Sequence, residues 1–242
     1  MTVKNKLKFA DERLVPDTIP WHQKQMIKDH TERYEFAKKH SHGLVLDAAC
    51  GSGYGAKMLA SKPGISVIGL DISSEAVNYA RKKYATKRAT FVQASVLKLP
   101  FDIASVDTVV SFETLEHVTD YKKFINEVSR VLKPNGSFIV STPNILVNGG
   151  TANPHHIKEL SETEFVEILQ KNFKEVTLYG QKGMQKDYLR FVVWLTNKLP
   201  LGFYRWFLDS LLKIMFRGTK VKPISEFNFG FVPAFFVAVC RI

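Results

Sequence analysis

The sequence predicts an α/β fold in which a mostly parallel sheet carries helices on both faces. Short apolar runs bounded by turn-forming residues recur along the chain, as is typical of buried strands. Stretches with helical spacing of apolar residues separate these runs. Such an alternation of strand and helix indicates a parallel sheet covered on both sides.

The predicted strands have similar length and composition, beginning with LVLDAA and ending with FFVAVCRI. In chain order they cover residues 44–49, 66–71, 107–112, 137–143, 174–180 and 235–242. We expect a sheet of seven strands in total, with a helical insertion between the last two.

Predicted helices precede, separate and follow these strands. A leading amphipathic helix within residues 20–40 has its larger apolar side chains at loosely helical spacing, namely Met26, Ile27, Tyr34, Phe36 and Ala37. Further helices are predicted at 55–61, 73–84 and 120–133, the last ended by Pro134, Asn135 and Gly136. Ser161 and Glu164 form the pattern of a capping box and predict another helix start.

We expect one domain, residues 1–242, in which residues 1–42 form an N-terminal helical cap. Residues 183–228 are predicted to form an insertion that mixes large aromatic side chains with basic ones, most densely between Lys186 and Lys220. This mixture is typical of a helix at a membrane interface, and also of a helical lid over a binding pocket. We interpret the segment as an acceptor lid. Peripheral contact with an anionic membrane is the alternative left open.

Composition limits the classes of protein to which the chain can belong. It has 242 residues, 45% of them hydrophobic, a net charge of +11 and only two cysteines, Cys50 and Cys240. The cysteines have no metal-ligand spacing, and the charged N-terminal segment does not resemble a secretory signal. We therefore expect a cytoplasmic protein. The positive charge indicates either an anionic partner or a lysine-rich solvated surface.

A glycine-rich segment after the first strand predicts a nucleotide-like ligand. Asp47-Ala-Ala-Cys-Gly51-Ser-Gly53-Tyr-Gly55 lies where a strand turns into a helix, and glycine allows a ligand to approach the backbone closely. Asp71, at the end of the second strand, has a carboxylate that can bind both hydroxyls of a ribose. The glycine spacing G-x-G-x-G differs from the G-x-G-x-x-G of nicotinamide dehydrogenases. An adenosine-containing ligand other than a nicotinamide dinucleotide is therefore predicted.

From about residue 33 to residue 173, these motifs and the sequence around them resemble the class I methyltransferases. The resemblance implies a Rossmann-like sheet. VLDAACGSGYG resembles the first motif of that family, GLDISSEAVNYA its acidic loop, and QASVLKLPF the segment lining adenine. The resemblance implies S-adenosylmethionine as cofactor. It implies a binding site formed by Tyr34, Asp47, Ala49, Gly51, Gly53, Asp71, Ile72, Ser95, Val96 and Phe112. Ser95 departs from the family pattern, in which an aspartate is common, so the Val96 backbone is expected to contact adenine.

Two further segments follow strand ends and contain candidate catalytic groups. The first is Glu113-x-x-Glu116-His117, and the second, NPHHIKE, contains His156 and Glu159. Removing the proton of an acceptor hydroxyl requires a base, and we predict His117 and His156 for catalysis. In spacing, Glu113, Glu116, His117 and His156 also resemble a divalent metal site of small-RNA ribose methyltransferases. A metal is the less favoured interpretation.

Three functions remain open from the sequence. The favoured one is O-methylation of a small-molecule acceptor such as a sugar, polyketide or quinone, since the NP-x-H-x-x-E segment resembles bacterial methyltransferases with such acceptors. A metal-dependent RNA ribose 2′-O-methyltransferase is the second, although no RNA-binding module is recognisable and a nucleic-acid partner is not favoured. The third is a non-catalytic, membrane-associated protein of the same fold. The acceptor and the oligomeric state are not determined by the sequence.

Overall fold

The computed structural model describes residues 14–18, 24–148, 155–185, 217–227 and 231–242. Over these ranges the chain forms six α-helices, which are α1 Lys24–His40, α2 Tyr54–Leu59, α3 Ser74–Tyr84, α4 Tyr121–Val131, α5 Ile145–Asn148 and α6 Glu162–Gln170. It also forms eight β-strands, which are β1 Leu44–Ala48, β2 Ser66–Asp71, β3 Ala89–Gln93, β4 Val106–Phe112, β5 Leu132–Pro143, β6 Glu175–Gln185, β7 Arg217–Pro223 and β8 Phe231–Arg241. Short 3₁₀ turns occupy Leu115–His117 and Ile224–Glu226.

All eight strands form one sheet in the order β3-β2-β1-β4-β5-β8-β6-β7. Strands β1 to β5 are parallel, whereas β8 runs antiparallel to both β5 and β6, and β7 antiparallel to β6. The predicted α/β class is confirmed, with eight strands in the described residues instead of seven. The additional strand is β7, which lies inside the predicted insertion 183–228.

The ends of the six predicted strands lie within five residues of their expected positions, and β2 matches its expected range 66–71. Strand β3 was not predicted from the sequence. Its five residues include the exposed side chains of Thr90 and Gln93, so it lacks the continuous apolar run that identifies the central strands. Of the insertion, residues 186–216 and 228 lie outside the described residues, as do 1–13 and 19–23 of the N-terminal cap.

Side chains that alternate along the strands build two cores, one on each face of the sheet. On one face α1, α2 and α3 pack over strand residues that include Val45, Val110 and Ile139. On the other face α4 and α6 pack over the neighbouring residues in the same strands, including Leu46, Val109 and Phe138. Both faces of the sheet are therefore shielded from solvent, which accounts for the nearly continuous apolar sequence of the central strands.

Helix α1 lies within the predicted leading helix. Tyr34, Phe36 and Ala37 are buried as expected from their spacing, whereas Met26 is exposed. Arg33 is also buried, although it is charged. The inner surface of α1 is therefore not purely apolar.

The sheet order reverses between β1 and β4, because β2 and β3 follow on one side of β1 while β4 and β5 follow on the other. In open α/β sheets the ligand binds outside the carboxyl ends of the strands at this point. The segments after β1, β2 and β4 are thereby brought to one edge of the sheet. None of the helices in the described ranges has the length and apolar character needed to cross a membrane.

Candidate active site

The turn between β1 and α2 places backbone N–H groups next to open space. Ala49, Gly51 and Gly53 have positive φ angles of 62°, 54° and 84°. A Cβ atom added at Gly51 would meet no atom within 4 Å, so the backbone there lies open to a ligand. This turn fits a cofactor that approaches the main chain closely.

Gly53 is required by packing as well as by its backbone angles. A Cβ atom at this position would lie 2.5 Å from Cβ of Ala80 and 2.8 Å from the ring of Phe91. The glycine therefore lets α3 and β3 pack close to the first residues of α2.

Asp71 connects the ends of the first two strands. Its Oδ2 accepts a hydrogen bond from the Gly51 amide at 2.8 Å, and its Oδ1 accepts one from the Ser73 amide at 2.9 Å. The carboxylate is thus held in one orientation and has further lone pairs for ribose hydroxyls. The adjacent Ile72 is 71% exposed and offers an apolar surface beside the carboxylate.

Asp47 and Tyr34 form a buried polar pair at the end of β1. The Tyr34 hydroxyl donates to Oδ1 of Asp47 at 3.2 Å. Burial raises the pKa of Asp47 to about 7, the hydrogen bond from Tyr34 acts to lower it, and the charge of Asp71 raises it. Burial, followed by the charge of Asp47, holds the pKa of Tyr34 well above its usual range, so the phenol remains a donor.

The Tyr34 ring fills the space between α1 and the glycine-rich turn. It makes edge-to-face contacts with Phe112 at 5.1 Å and with Tyr54 at 5.7 Å between ring centroids. A Cβ atom at Gly55 would lie 1.9 Å from Cζ of Tyr34. The third glycine of the motif is therefore explained by this ring.

Ser95 and Val96 follow β3 at the same edge of the sheet. The Ser95 hydroxyl accepts a hydrogen bond from the Leu97 amide at 3.2 Å and so stabilises a tight turn. Val96 is partly buried against the core.

A second polar group follows the end of β4. Glu113 has a positive φ of 52°, and its Oε1 accepts a hydrogen bond from the Ser141 hydroxyl at 2.7 Å. Glu116 is fully buried and its Oε2 accepts from the Thr142 hydroxyl at 3.2 Å. Among the described residues its Oε1 has no hydrogen-bond partner and lies 4.0 Å from Nε2 of His117. Burial, followed by the charge of Glu113, raises the pKa of Glu116 well above its usual range.

The backbone of Glu116 also fixes the position of the second predicted segment. Its carbonyl oxygen accepts a hydrogen bond from the Ile157 amide at 2.7 Å. The segment around residue 156 is thereby attached to the 3₁₀ turn that follows β4, although 38 or more residues separate them in the chain.

His117 and His156 meet as a result of this attachment. Their rings lie 4.9 Å apart at an interplanar angle of 73°. Nδ1 of His117 lies 3.1 Å from the carbonyl oxygen of His155, and Nδ1 of His156 lies 2.7 Å from Oε1 of Glu159. Both oxygens are acceptors, so each Nδ1 carries the proton, and in the neutral rings each Nε2 carries a lone pair.

Three of these side chains have the composition of a divalent metal site. Ligand atoms of Glu116, His117 and His156 lie within 4.8 Å of one another. Ligands bound to one ion at about 2.1 Å lie at most about 4.2 Å apart, so a small closure would be needed. The Oε1 of Glu116, which makes no hydrogen bond within the described residues, and the two imidazoles with engaged Nδ1 atoms fit such an ion. Glu113, the fourth residue of the predicted metal set, is directed to Ser141 instead.

The structure therefore brings the predicted residues together in two groups at one edge of the sheet. The first contains Tyr34, Asp47, Ala49, Gly51, Gly53, Asp71, Ile72 and Phe112. The second contains Glu116, His117, His156 and Glu159.

Arg33 and Thr142 were not identified as polar site residues from the sequence. A charged residue at an inward position of the amphipathic helix, next to Tyr34, was the available signal for Arg33. Thr142 gave no signal, because a threonine inside an apolar strand is common.

Comparisons with known proteins show which proteins this chain is similar to. Residues 46–140 match the model of the methyltransferase domain family. The chain is 42% identical over 130 residues to a probable S-adenosylmethionine-dependent methyltransferase of Mycolicibacterium smegmatis, covering 52% of this chain and 49% of that protein. It is 35% identical over 180 residues to another protein so described from Mycobacterium tuberculosis, covering 72% of this chain and 64% of that protein.

The chain thus spans about half of the length of the first relative and less than two thirds of the second. Among solved structures, a methyltransferase from Archaeoglobus fulgidus superimposes with a TM-score of 0.62 at 15% identity. That match covers 92% of this chain and 98% of the other, and it concerns the fold alone.

Proposed function

The chain belongs to the class I S-adenosylmethionine-dependent methyltransferase family, and from this premise we propose that it methylates an oxygen atom of a small-molecule acceptor. One observation supports the proposal most. The open glycine-rich turn after β1 and the His156–Glu159 pair, attached behind β4, lie at the same edge of the sheet. A cofactor and a base for the acceptor would meet there.

S-adenosylmethionine supplies a methyl group bonded to a positively charged sulfur. In the proposed site the Asp71 carboxylate would bind the ribose hydroxyls, and Ile72 would lie against the adenine. The Gly51 and Gly53 backbone, with Ala49 and Asp47, would hold the methionine end. Tyr34 and Phe112 would enclose that end with their rings, while Ser95 and Val96 would line the adenine side.

The acceptor hydroxyl must lose its proton as the methyl group is transferred. We propose that Nε2 of His156 takes this proton. The hydrogen bond from Nδ1 of His156 to Glu159 selects the required tautomer and stabilises the imidazolium that forms. His117, whose ring edge meets the ring of His156, lines the same space and orients the acceptor.

Calorimetric titration with S-adenosylmethionine tests the cofactor site. We expect binding by the parent protein and at least tenfold weaker binding by Asp71→Ala, because that variant loses both the ribose contact and the anchor of the Gly51 amide. Asp102→Asn is the matched control, since it removes an exposed carboxylate distant from this edge. Equal affinity in all three proteins would contradict the proposed site.

Methyl transfer to a panel of sugars, phenols and hydroxy acids tests the base. We expect His156→Gln to lower kcat by about 10² to 10⁴-fold, the range of general-base catalysis, with unchanged cofactor affinity. Glu159 acts through His156 and is a positioning residue. Glu159→Gln should therefore shift the pH profile of kcat, and an unchanged profile would exclude that role.

Metal binding is a second candidate role for the same side chains, favoured by the position of the Glu116 carboxylate beside two imidazoles. A divalent ion there would polarise the acceptor hydroxyl. Dialysis against a chelator, followed by titration with Mn²⁺ and Zn²⁺, tests this role. Full turnover after chelation, with no ion bound, would exclude the metal role and leave only the general-base role.

The remaining proposals concern the acceptor, the cellular location of the protein and segment 183–228. We propose a small molecule as acceptor and a cytoplasmic location, and we retain segment 183–228 as the predicted lid. Flotation with anionic vesicles at low salt tests the alternative of membrane contact. An RNA substrate would be indicated by an affinity that falls steeply with salt.

A further inference from the structure

Arg33 in α1 is a fully buried charge with incomplete pairing. Its side chain is 1% exposed, and it is one of the largest fully buried side chains of the described residues. Among the described residues, it donates a hydrogen bond from Nη1 to Oε1 of Gln181 at 2.7 Å, and its Nε has no hydrogen-bond partner. Within the described ranges no carboxylate lies at ion-pair distance from it. Burying a cation without an anion is unfavourable, because the lost hydration of the ion is not replaced.

The groups that hold the guanidinium in place make close contacts with it but carry no charge. The Gln181 amide donates to the backbone oxygens of Asp29, at 3.0 Å, and of Thr219, so its Oε1 must face Arg33. The Phe235 ring lies with its face 4.7 Å from Cζ of Arg33. Asp29, which lies about one turn before Arg33 in α1, is paired with Lys182. The guanidinium is thereby oriented without being neutralised.

Its position in the fold is on the acceptor side of the site. Phe235 pairs with Pro143 at the carboxyl end of β5 and with Gln181 in β6. Arg33 therefore lies above β5, β8 and β6. With strands about 4.8 Å apart, β8 is roughly 14 Å from β1, where the cofactor turn begins.

The charge of Arg33 also acts on Glu116, which belongs to the second polar group. Burial raises the pKa of Glu116 and the positive charge of Arg33 opposes that shift. An anion bound at Arg33 would consequently lie near the proposed base.

We propose that Arg33 anchors a carboxylate group of the acceptor, an inference that rests on the proposed methyltransferase function. The planar guanidinium presents parallel N–H donors that match a carboxylate, and the unpaired Nε–H is one of them. One cation with a neutral amide and an aromatic ring balances a monoanion, whereas a phosphate dianion would remain uncompensated. The acceptor is thus a hydroxy acid, held at its carboxylate while a separate hydroxyl is methylated.

The carboxylate of the methionine part of the cofactor has the same chemistry, so the experiment must separate the two sources. Binding of benzoate and octanoate, each compared with its neutral amide at constant ionic strength, is measured by calorimetry. The protein is used both alone and saturated with S-adenosylhomocysteine. Arg33→Met removes the charge at similar volume, Arg33→Lys retains charge without the planar donors, and Arg88→Gln removes an exposed arginine as control.

We expect at least one carboxylate to bind the saturated parent protein tenfold or more tightly than its amide. Arg33→Met should lose this preference, Arg33→Lys should retain part of it, and Arg88→Gln should retain all of it. Because replacing a buried ion by an apolar side chain is often neutral for stability, Arg33→Met should keep its Tm without ligand. Arg33→Lys provides the comparison if Arg33→Met does not fold.

Two results would overturn the proposal. One is a parent protein that prefers neither carboxylate. The other is an Arg33→Met variant that keeps the carboxylate preference but binds S-adenosylmethionine tenfold more weakly, which would assign Arg33 to the cofactor. If the parent protein binds carboxylates through Arg33 but does not bind S-adenosylmethionine, the proposed function fails and the anion site stands.

Discussion

At the scale of single residues, two opposing effects act on the pKa of Asp47, which is hydrogen-bonded to Tyr34. Burial disfavours the charge of Asp47, while the Tyr34 hydroxyl stabilises it with a hydrogen bond. The resulting pKa of about 7 means that Asp47 changes charge near neutral pH. An exposed aspartate at the same position of the turn would stay ionised over this range.

Asp47→Asn should flatten the pH dependence of stability. The folded state holds a proton on Asp47 up to about pH 7, whereas the unfolded chain releases it near 3.8. Because the native state binds more protons between these values, the free energy of unfolding should decrease as pH rises from about 4 to about 7. Urea unfolding at pH 4 to 8 measures this slope, with Asp102→Asn as control. The same slope in Asp47→Asn as in the parent would assign the titration elsewhere.

Tyr34→Phe should raise the pKa of Asp47 above its present value of about 7, since the lost hydrogen bond favours the carboxylate. A hydrogen bond to a charged group contributes roughly 1.5–3 kcal/mol, so a rise of about 1 to 2 in the pKa of Asp47 is expected. Titration of the Asp47 carboxyl carbon by NMR gives the value directly. Tyr79→Phe is the control, because the Tyr79 hydroxyl contacts the exposed Asp17. A downward shift would contradict the assigned role of Tyr34.

At the scale of an element, α6 shows how a local motif fixes a helix start. The Ser161 hydroxyl accepts from the Glu164 amide at 3.3 Å, and Oε2 of Glu164 accepts from the Ser161 amide at 3.0 Å. These bonds, with the ion pair from Lys158, lower the pKa of Glu164 to about 2. The helix start follows shortly after His156 and Glu159, so the cap also fixes the end of that segment.

Ser161→Ala should destabilise the protein by about 1 kcal/mol, the usual cost of losing a helix cap. Urea unfolding near pH 7 measures the loss. At lower pH the loss should shrink, because protonation of Glu164 weakens the same cap as pH falls from about 4.5 towards about 2. Ser61→Ala, which removes an exposed hydroxyl, should change stability by less than about 0.5 kcal/mol. An equal effect of both substitutions would argue against the cap.

At the scale of the whole molecule, stability comes from two apolar cores separated by the sheet. Phe138 in β5 is fully buried between the rings of Phe124, at 6.1 Å, and Phe173, at 5.7 Å. It thus joins α4 to the segment that follows α6. The site edge is supported from behind by this core.

Phe138→Ala should lower the free energy of unfolding by about 3–5 kcal/mol, since a cavity remains where the ring was. Denaturant unfolding followed by circular dichroism provides the number. Ile103→Ala is a suitable control because Ile103 is 74% exposed, and it should change stability by less than about 0.5 kcal/mol. A loss below 1 kcal/mol in Phe138→Ala would mean that the core repacks around the gap.

Local patterns were sufficient for most of the architecture. The α/β class, the six predicted strands and the Ser161 capping box follow from interactions between residues close in the chain, namely side-chain alternation, helical spacing and capping. The glycine-rich turn was readable for the same reason, because backbone angles are local. Strands β3 and β7 escaped prediction, since edge strands need no continuous apolar run and are recognisable only by their pairing partner.

The sequence by itself therefore determined the fold class and the glycine-rich turn, and it supplied the candidate residues of the proposed site. The tertiary structure alone decided which of these residues meet. His117 and His156 are brought together by one backbone hydrogen bond from Ile157 to Glu116, and Glu113 is turned away to Ser141. Arg33 became a candidate only through its burial against Phe235 and Gln181. The physical reason is that burial and the pairing of charges depend on contacts between distant segments, and a linear pattern contains no record of those distances.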